Sequence, residues 1–287
     1  MKTVVITGAT SGIGLATARK FVGKGYNVIG IGHSETNCDR AKEKILSDYP
    51  EAKIIYFVAN LMQLSEVKRV ADELEKYITA NCNGEIYALI NNVGGVRSWY
   101  QTTAEGYEQQ FALNHLASFM LTYRLLPYIE MALGRVIMTC SNSHKGIKMH
   151  WEDIMLKDGY NPLTAYKQSK LCNILFAEAL NERYSNNGIR AYAVDPGLVN
   201  TDIGNKQTGG VVNLIWSLRK KHGVLPEIPA ETYVHLCEQK TAPKGLYYYL
   251  CRERKFSREV TEENANRLFD LSEKLCGIKY RDLVVEL

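Results

Sequence analysis

The alternation of short apolar runs with amphipathic ones constrains this chain more than any other feature. Strand-like runs fall at 3–7, 26–31, 53–58, 86–91, 134–140, 189–194 and 246–250, each rich in Val, Ile, Leu or Tyr. Helix-like patterns separate them at about 12–24, 35–48, 63–80, 103–132 and 161–185, and a last one follows at about 261–276. A strand buried on both faces must be apolar along its whole length, and parallel neighbours need a long crossover, usually helical, between them. The alternation therefore predicts an α/β fold, a doubly wound and mostly parallel sheet of seven strands with helices on both faces. No linker or repeat divides the 287 residues, so one domain over 1–287 is expected. Within it, 201–245 stands apart through Gly209-Gly210, Gly223, Pro226, Pro229 and Pro243, with short helical patterns around 211–221 and 229–239. It is read as a lid, because long insertions at the carboxyl ends of strands commonly cover a ligand.

Composition narrows the partners. A net charge of +4, from 35 basic and 31 acidic residues, gives no footprint for nucleic acid. The seven cysteines are odd in number and never spaced Cys-x-x-Cys, so neither a disulfide framework nor a zinc site is expected, and reduced thiols in a cytoplasmic protein fit best. Strand residues begin at Thr3, which leaves no room for a signal peptide, and the apolar stretch 211–218 is far too short to span a bilayer.

The first strand runs into Thr7-Gly8-Ala9-Thr10-Ser11-Gly12-Ile13-Gly14. Glycines at 8, 12 and 14 allow a tight turn and a close approach to a pyrophosphate, and the helix that follows aims free N–H groups at the anion. At the end of the second strand an acid would accept hydrogen bonds from an unmodified adenosine ribose. Here the chain reads Gly30-Ile31-Gly32-His33-Ser34, so His33 and Ser34, with Arg40 further off, suit a 2′-phosphate and favour NADP(H) over NAD(H). Asn60 after the third strand could bond the adenine, and Asn91-Asn92-Val93-Gly94-Gly95 after the fourth forms a turn beside a cofactor. Each motif alone also reads as ordinary turn chemistry.

Tyr166 and Lys170 lie four apart at the start of a helix, on one face. A phenol with an ordinary pKa near ~10 cannot act as a base at neutral pH, but an ammonium beside it favours the phenolate. Ser141, ending the fifth strand, could steady a substrate oxygen. Asn114, set among Phe111, Leu113 and Leu116, must find partners if buried; a backbone group or a water linking Lys170 to solvent would serve.

Taken together, these motifs resemble the short-chain dehydrogenase/reductase superfamily, a Rossmann-type family marked by Thr-Gly-x-x-x-Gly-x-Gly, Asn-Asn-Ala-Gly, a serine and Tyr-x-x-x-Lys. The resemblance implies a catalytic tetrad of Asn114, Ser141, Tyr166 and Lys170, with Tyr166 exchanging the proton and Lys170 also bonding the nicotinamide ribose. It implies a dinucleotide held by Gly8, Thr10, Ser11, Gly12, Ile13 and Gly14, by His33, Asn60, Asn92 and Gly94, and by Pro196, Gly197, Val199 and Thr201 near the nicotinamide. No metal is required. A narrower resemblance, over residues 1 to about 277, is to the retinol dehydrogenase-like branch. It rests on 111–116, 168–176 and 265–269 and on the 25-residue interval from Ser141 to Tyr166. Val93 stands where the family has alanine, Asn60 where aspartate is common, His33 where the branch has arginine, and Asp195 where histidine is frequent. The branch's membrane anchor is missing, so a soluble, cytoplasmic enzyme is expected.

The implied activity is hydride transfer between NADP(H) and an alcohol or carbonyl, with reduction of a carbon–carbon double bond and non-catalytic cofactor sensing as alternatives. A bulky lipophilic substrate, steroid- or retinoid-like, suits walls built from Trp99 and Tyr100, from Met149, His150, Trp151 and Met155 in the 145–160 insertion, and from Trp216, although each of these could instead serve packing. The helix over 161–185 is a frequent dimer surface in the resembled family and leaves a homodimer open.

Overall fold

The computed structural model describes residues 1–200 and 223–280. Seven strands run parallel: β1 (Thr3–Thr7), β2 (Asn27–Gly32), β3 (Ile54–Val58), β4 (Ala88–Asn91), β5 (Arg135–Thr139), β6 (Arg190–Val194) and β7 (Tyr247–Tyr249). They are ordered β3-β2-β1-β4-β5-β6-β7. Successive residues of β1 face opposite sides, so Val5 enters one core and Val4 and Ile6 the other. That is why the strands read as unbroken apolar runs.

Helices α1 (Gly12–Gly23), α2 (Glu35–Asp48) and α7 (Glu227–Glu238) cover one face. The other face carries α3 (Leu64–Asn81), α5 (Ala117–Met131) and α6 (Pro162–Tyr184), with α8 (Glu262–Cys276) packed on α6. Of the expected lid, 201–222 lies outside the described residues. The rest is largely a layer helix. In α7, Tyr233, Val234, Leu236 and Cys237 join the core under α1. Lys20–Glu231 and Lys24–Glu238 pair at the rim, where exposed ion pairs add little.

Two differences from the sequence reading have local causes. An eighth strand, β8 (Arg252–Glu253), pairs antiparallel with β7. Its two-residue turn, Leu250-Cys251, takes positive φ at both positions (48° and 59°), the geometry a tight hairpin needs, but without the Gly or Asn that would announce it. The helix expected from 103 begins later, because Gly106 at φ 87° turns the chain and Glu108 then caps the start of α4 (Gln109–Phe111). The Glu108 carboxylate accepts from the N–H groups of Gln110 and Phe111 at 2.9 and 2.7 Å and from the Tyr160 hydroxyl at 3.0 Å. Between α4 and α5 lies a π-helical turn, Ala112–Leu116.

Candidate functional site

The sheet order reverses between β1 and β4, and in such sheets ligands bind in the crevice beyond the carboxyl ends of the strands. The turn after β1 is built for close approach. Gly8 and Gly12 have φ of 65° and 52°, and a Cβ on Gly14 would lie 2.2 Å from the Gly8 carbonyl oxygen. The N–H groups of Gly8 and Ala9 both donate to Ile31 O, which ties the turn to β2. Ser11 is the N-cap of α1, yet its hydroxyl caps nothing, and no acid sits in the first turn. The positive end of α1 is thus open to an anion, with Gly12, Ile13 and Gly14 in its first turn. This cradle fits a dinucleotide pyrophosphate.

Asn92 stabilises the turn from the side. Its side-chain amide donates to Thr7 O at 3.0 Å, and the N–H groups of Asn92 and Val93 both reach Thr7 Oγ1 at 2.9 Å. Thr10 packs its methyl where a Cβ on Gly32 would fall, at 2.6 Å. His33 is exposed just past the end of β2 with no acid on the strand itself, while Glu35 opens α2. Asn60 accepts from the Met62 N–H at 3.3 Å, a local turn.

The four tetrad candidates come from three segments: the turn that holds Asn114, the turn after β5 that begins with Ser141, and α6, which carries both Tyr166 and Lys170. Lys170 is 2% exposed on α6, donates to Thr139 O at 3.1 Å, and sits 5.7 Å from the centre of the Tyr166 ring. Burial lowers its pKa to about 8. Asn114 lies in the π-helical turn, a device that widens the helix by one residue and recurs at functional sites. Its Oδ1 accepts from Gly95 N at 2.8 Å, and its Nδ2 donates to Gly95 O at 3.1 Å and to Ser169 Oγ at 2.8 Å. Gly94 lets the group close up, since a Cβ there would stand 3.0 Å from Lys170 Nζ and 3.2 Å from Asn114 Oδ1. Ser141 follows β5 as the N-cap of a short turn, half-buried, its Oγ accepting from Ser143 N at 3.2 Å. Tyr166 is 8% exposed and packs against Val96.

Past β6, Pro196 and Gly197 turn the chain outward. Gly197 has φ 71°, and its N–H donates to Asp195 Oδ1 at 2.9 Å. Val199 bridges to Val224, and Thr201 lies outside the described residues. The sequence offered no sign of the buried partners behind this turn. The Tyr247 hydroxyl donates to Asp195 Oδ2 at 2.9 Å, and the His144 ring lies edge-on to Tyr247 at 5.1 Å. Among the expected wall residues, Met149, Trp151 and Met155 pack against the main core, Trp99 is 60% exposed, and Trp216 lies outside the described residues. An open surface groove of about 530 Å³ lies beside Arg254, Phe256, Ser257 and Arg258. Among the described residues, no helix is long and apolar enough to cross a membrane.

This chain belongs to the short-chain dehydrogenase family, whose match spans residues 2–210, and is an oxidoreductase of that family. Within it the chain falls in the retinol dehydrogenase-like branch. Retinol dehydrogenase 12 of Mus musculus is 31% identical over 283 residues, covering 97% of this chain and 87% of that protein. The crystal structure of an uncharacterized protein from Mycobacterium paratuberculosis matches at a TM-score of 0.75 and 27% identity, over 98% of this chain and 95% of that one. A short-chain dehydrogenase from Sphingobium yanoikuyae in complex with NADPH shares the fold at a TM-score of 0.63 and 23% identity, over 82% and 83% of the two chains.

Proposed function

We propose that the protein is an NADP(H)-dependent alcohol dehydrogenase/carbonyl reductase acting on a lipophilic aldehyde or ketone, with Asn114, Ser141, Tyr166 and Lys170 as its catalytic group. The observation that carries this reading is the convergence of Lys170 Nζ and Asn114 Oδ1 on Gly94, with the Tyr166 ring beside the same ammonium. When bound, the reduced nicotinamide supplies the hydride. Ser141 Oγ and the Tyr166 hydroxyl hold the carbonyl oxygen, and Tyr166 gives it a proton as negative charge develops there. The Lys170 ammonium stabilises the resulting phenolate until solvent restores its proton. Asn114 keeps the 94–95 turn in place beside Lys170. Gly8, Thr10, Ser11, Gly12, Ile13 and Gly14 receive the pyrophosphate, while Asn60, Asn92, Pro196, Gly197, Val199 and Thr201 border the remainder. One domain over 1–287, in a reducing compartment that leaves all seven cysteines free, completes the reading.

The test is NADPH oxidation by the purified chain with all-trans-retinal, a steroid ketone, a long-chain aldehyde and an α,β-unsaturated ketone. Alcohol products support the assignment. A saturated ketone from the enone would make it a double-bond reductase, and NADPH binding without turnover of any compound would sink it.

Cofactor choice has its own test. His33 is exposed where the adenosine ribose would end, and the Sphingobium relative holds NADPH. A bond from His33 to the 2′-phosphate is a charge-assisted one, worth about 1.5–3 kcal/mol. His33→Asp should therefore shift the NADPH/NADH ratio of kcat/KM toward NADH by about tenfold or more. An unchanged ratio removes His33 from the site.

A further inference from the structure

We propose that His144 is a positioning residue that holds the Ser141 turn and the 254–260 segment in register through the two nitrogens of one ring. The inference rests on the assignment of Ser141 as a ligand of the substrate oxygen.

His144 is fully buried, three residues beyond Ser141 in the turn Asn142–His144. Its Nδ1 lies 2.6 Å from Ser141 O, and a carbonyl can only accept, so Nδ1 carries the hydrogen. Its Nε2 lies 3.2 Å from the backbone nitrogen of Ser257, which can only donate, so Nε2 is the acceptor. Both bonds together require the neutral ring with the proton on Nδ1. Burial favours the neutral form and holds the pKa below the usual histidine range. Among titratable neighbours, Lys145 beside it opposes protonation further and Asp195 favours it.

The bonded partners give the ring its meaning. Ser141 O belongs to the residue that would meet the substrate, whereas Ser257 lines the groove beside Arg254, Phe256 and Arg258. Tyr247, edge-on to the ring, bonds Asp195, whose other oxygen holds the N–H of Gly197. One imidazole thus sits between the strand-end serine, the turn that follows β6, and a wall reached only after β8. A histidine that merely filled space would have no need to bond the backbones of both Ser141 and Ser257, the latter 113 positions along the chain.

Two amides separate the two bonds. In His144→Asn the side-chain nitrogen replaces Nδ1 and keeps the bond to Ser141, but it is too short to reach Ser257. In His144→Gln the side-chain oxygen replaces Nε2 and keeps Ser257, leaving Ser141 O only the backbone N–H of residue 144, at 3.1 Å. With all-trans-retinal and NADPH, Asn should raise KM by about tenfold with kcat within about threefold, and Gln should lower kcat by about tenfold with KM little changed. Parallel losses in both variants, or no loss in either, overturn the proposal. The nitrogen NMR shifts of the ring give a readout independent of turnover, and a proton found on Nε2 overturns it equally. Ser141→Ala separates the two levels. If that variant stays fully active, or wild type turns over none of the four test compounds, the functional assignment fails and this inference with it. If Ser141→Ala is inactive while the His144 variants fall in parallel, only the role of His144 fails.

Discussion

Tyr166→Phe is expected to lower kcat by about 10²–10⁴ while leaving the affinity for NADPH within about twofold. The ring is 8% exposed and packs against Val96, and phenylalanine preserves that packing, so the change removes one hydroxyl and little else. Ser141 would still hold the carbonyl oxygen, which explains why residual turnover should survive, but no group of suitable acidity would deliver the proton. Steady-state rates with all-trans-retinal, set beside NADPH fluorescence titrations, check both halves. A variant retaining more than about a tenth of the wild-type kcat would remove Tyr166 from the chemistry.

Lys170→Met should abolish turnover and at the same time raise stability. The ammonium is almost wholly buried, and its pKa has fallen to about 8 because burial penalises the charge. Keeping it charged at neutral pH costs on the order of 3 kcal/mol, offset in part by its bond to Thr139 O. Methionine has similar length and no charge, and Thr139 O retains the Asn173 side-chain nitrogen at 3.0 Å, so no acceptor is orphaned. A gain of about 1–3 kcal/mol at pH 7 follows, or a few degrees in Tm. The sign with pH is fixed by linkage. The folded pKa lies below the unfolded one, so the stability associated with this lysine is full above the unfolded value, near 10.5, and lost as pH falls through about 8. Thermal melts of the cofactor-free proteins should therefore show the advantage of the variant shrinking from pH 7 to pH 10. A Lys170→Met protein that melts below wild type at pH 7 would show that the lysine is bound for stability rather than held at a cost for function.

What the sequence disclosed depended on how locally each feature is encoded. The seven parallel strands and the glycine turn rest on runs of neighbouring residues, and the observed strand limits differ from the expected ones by only one or two positions at most ends. The tetrad candidates could be placed because helix spacing and strand ends put them within a few residues of recognisable turns. The strand β8 was invisible because Leu250 and Cys251 adopt a backbone their side chains do not advertise. The π-helical turn that aims Asn114 at Gly95 differs from an α-helix by one residue per turn, below what apolar periodicity can register. His144, Tyr247 and Asp195 meet only through tertiary packing, and no spacing along the chain links them. The wall residues stayed ambiguous for a simpler reason. Large apolar side chains look alike in sequence whether they face a ligand or seat an insertion on the core; Met149, Trp151 and Met155 pack against the core.

The packing of α8 on α6 bears on how that helix is held. Among the described residues of α6, only Lys167 and Glu182 are exposed; Phe176 meets Phe269 of α8, and Arg183 bonds Asn266 at 2.7 Å. On the other flank, Gln168 is tied to the 145–160 insertion through His150 N and Ile154 O. This helix is thus braced on both flanks by segments of its own chain, distant in sequence on one side and near on the other.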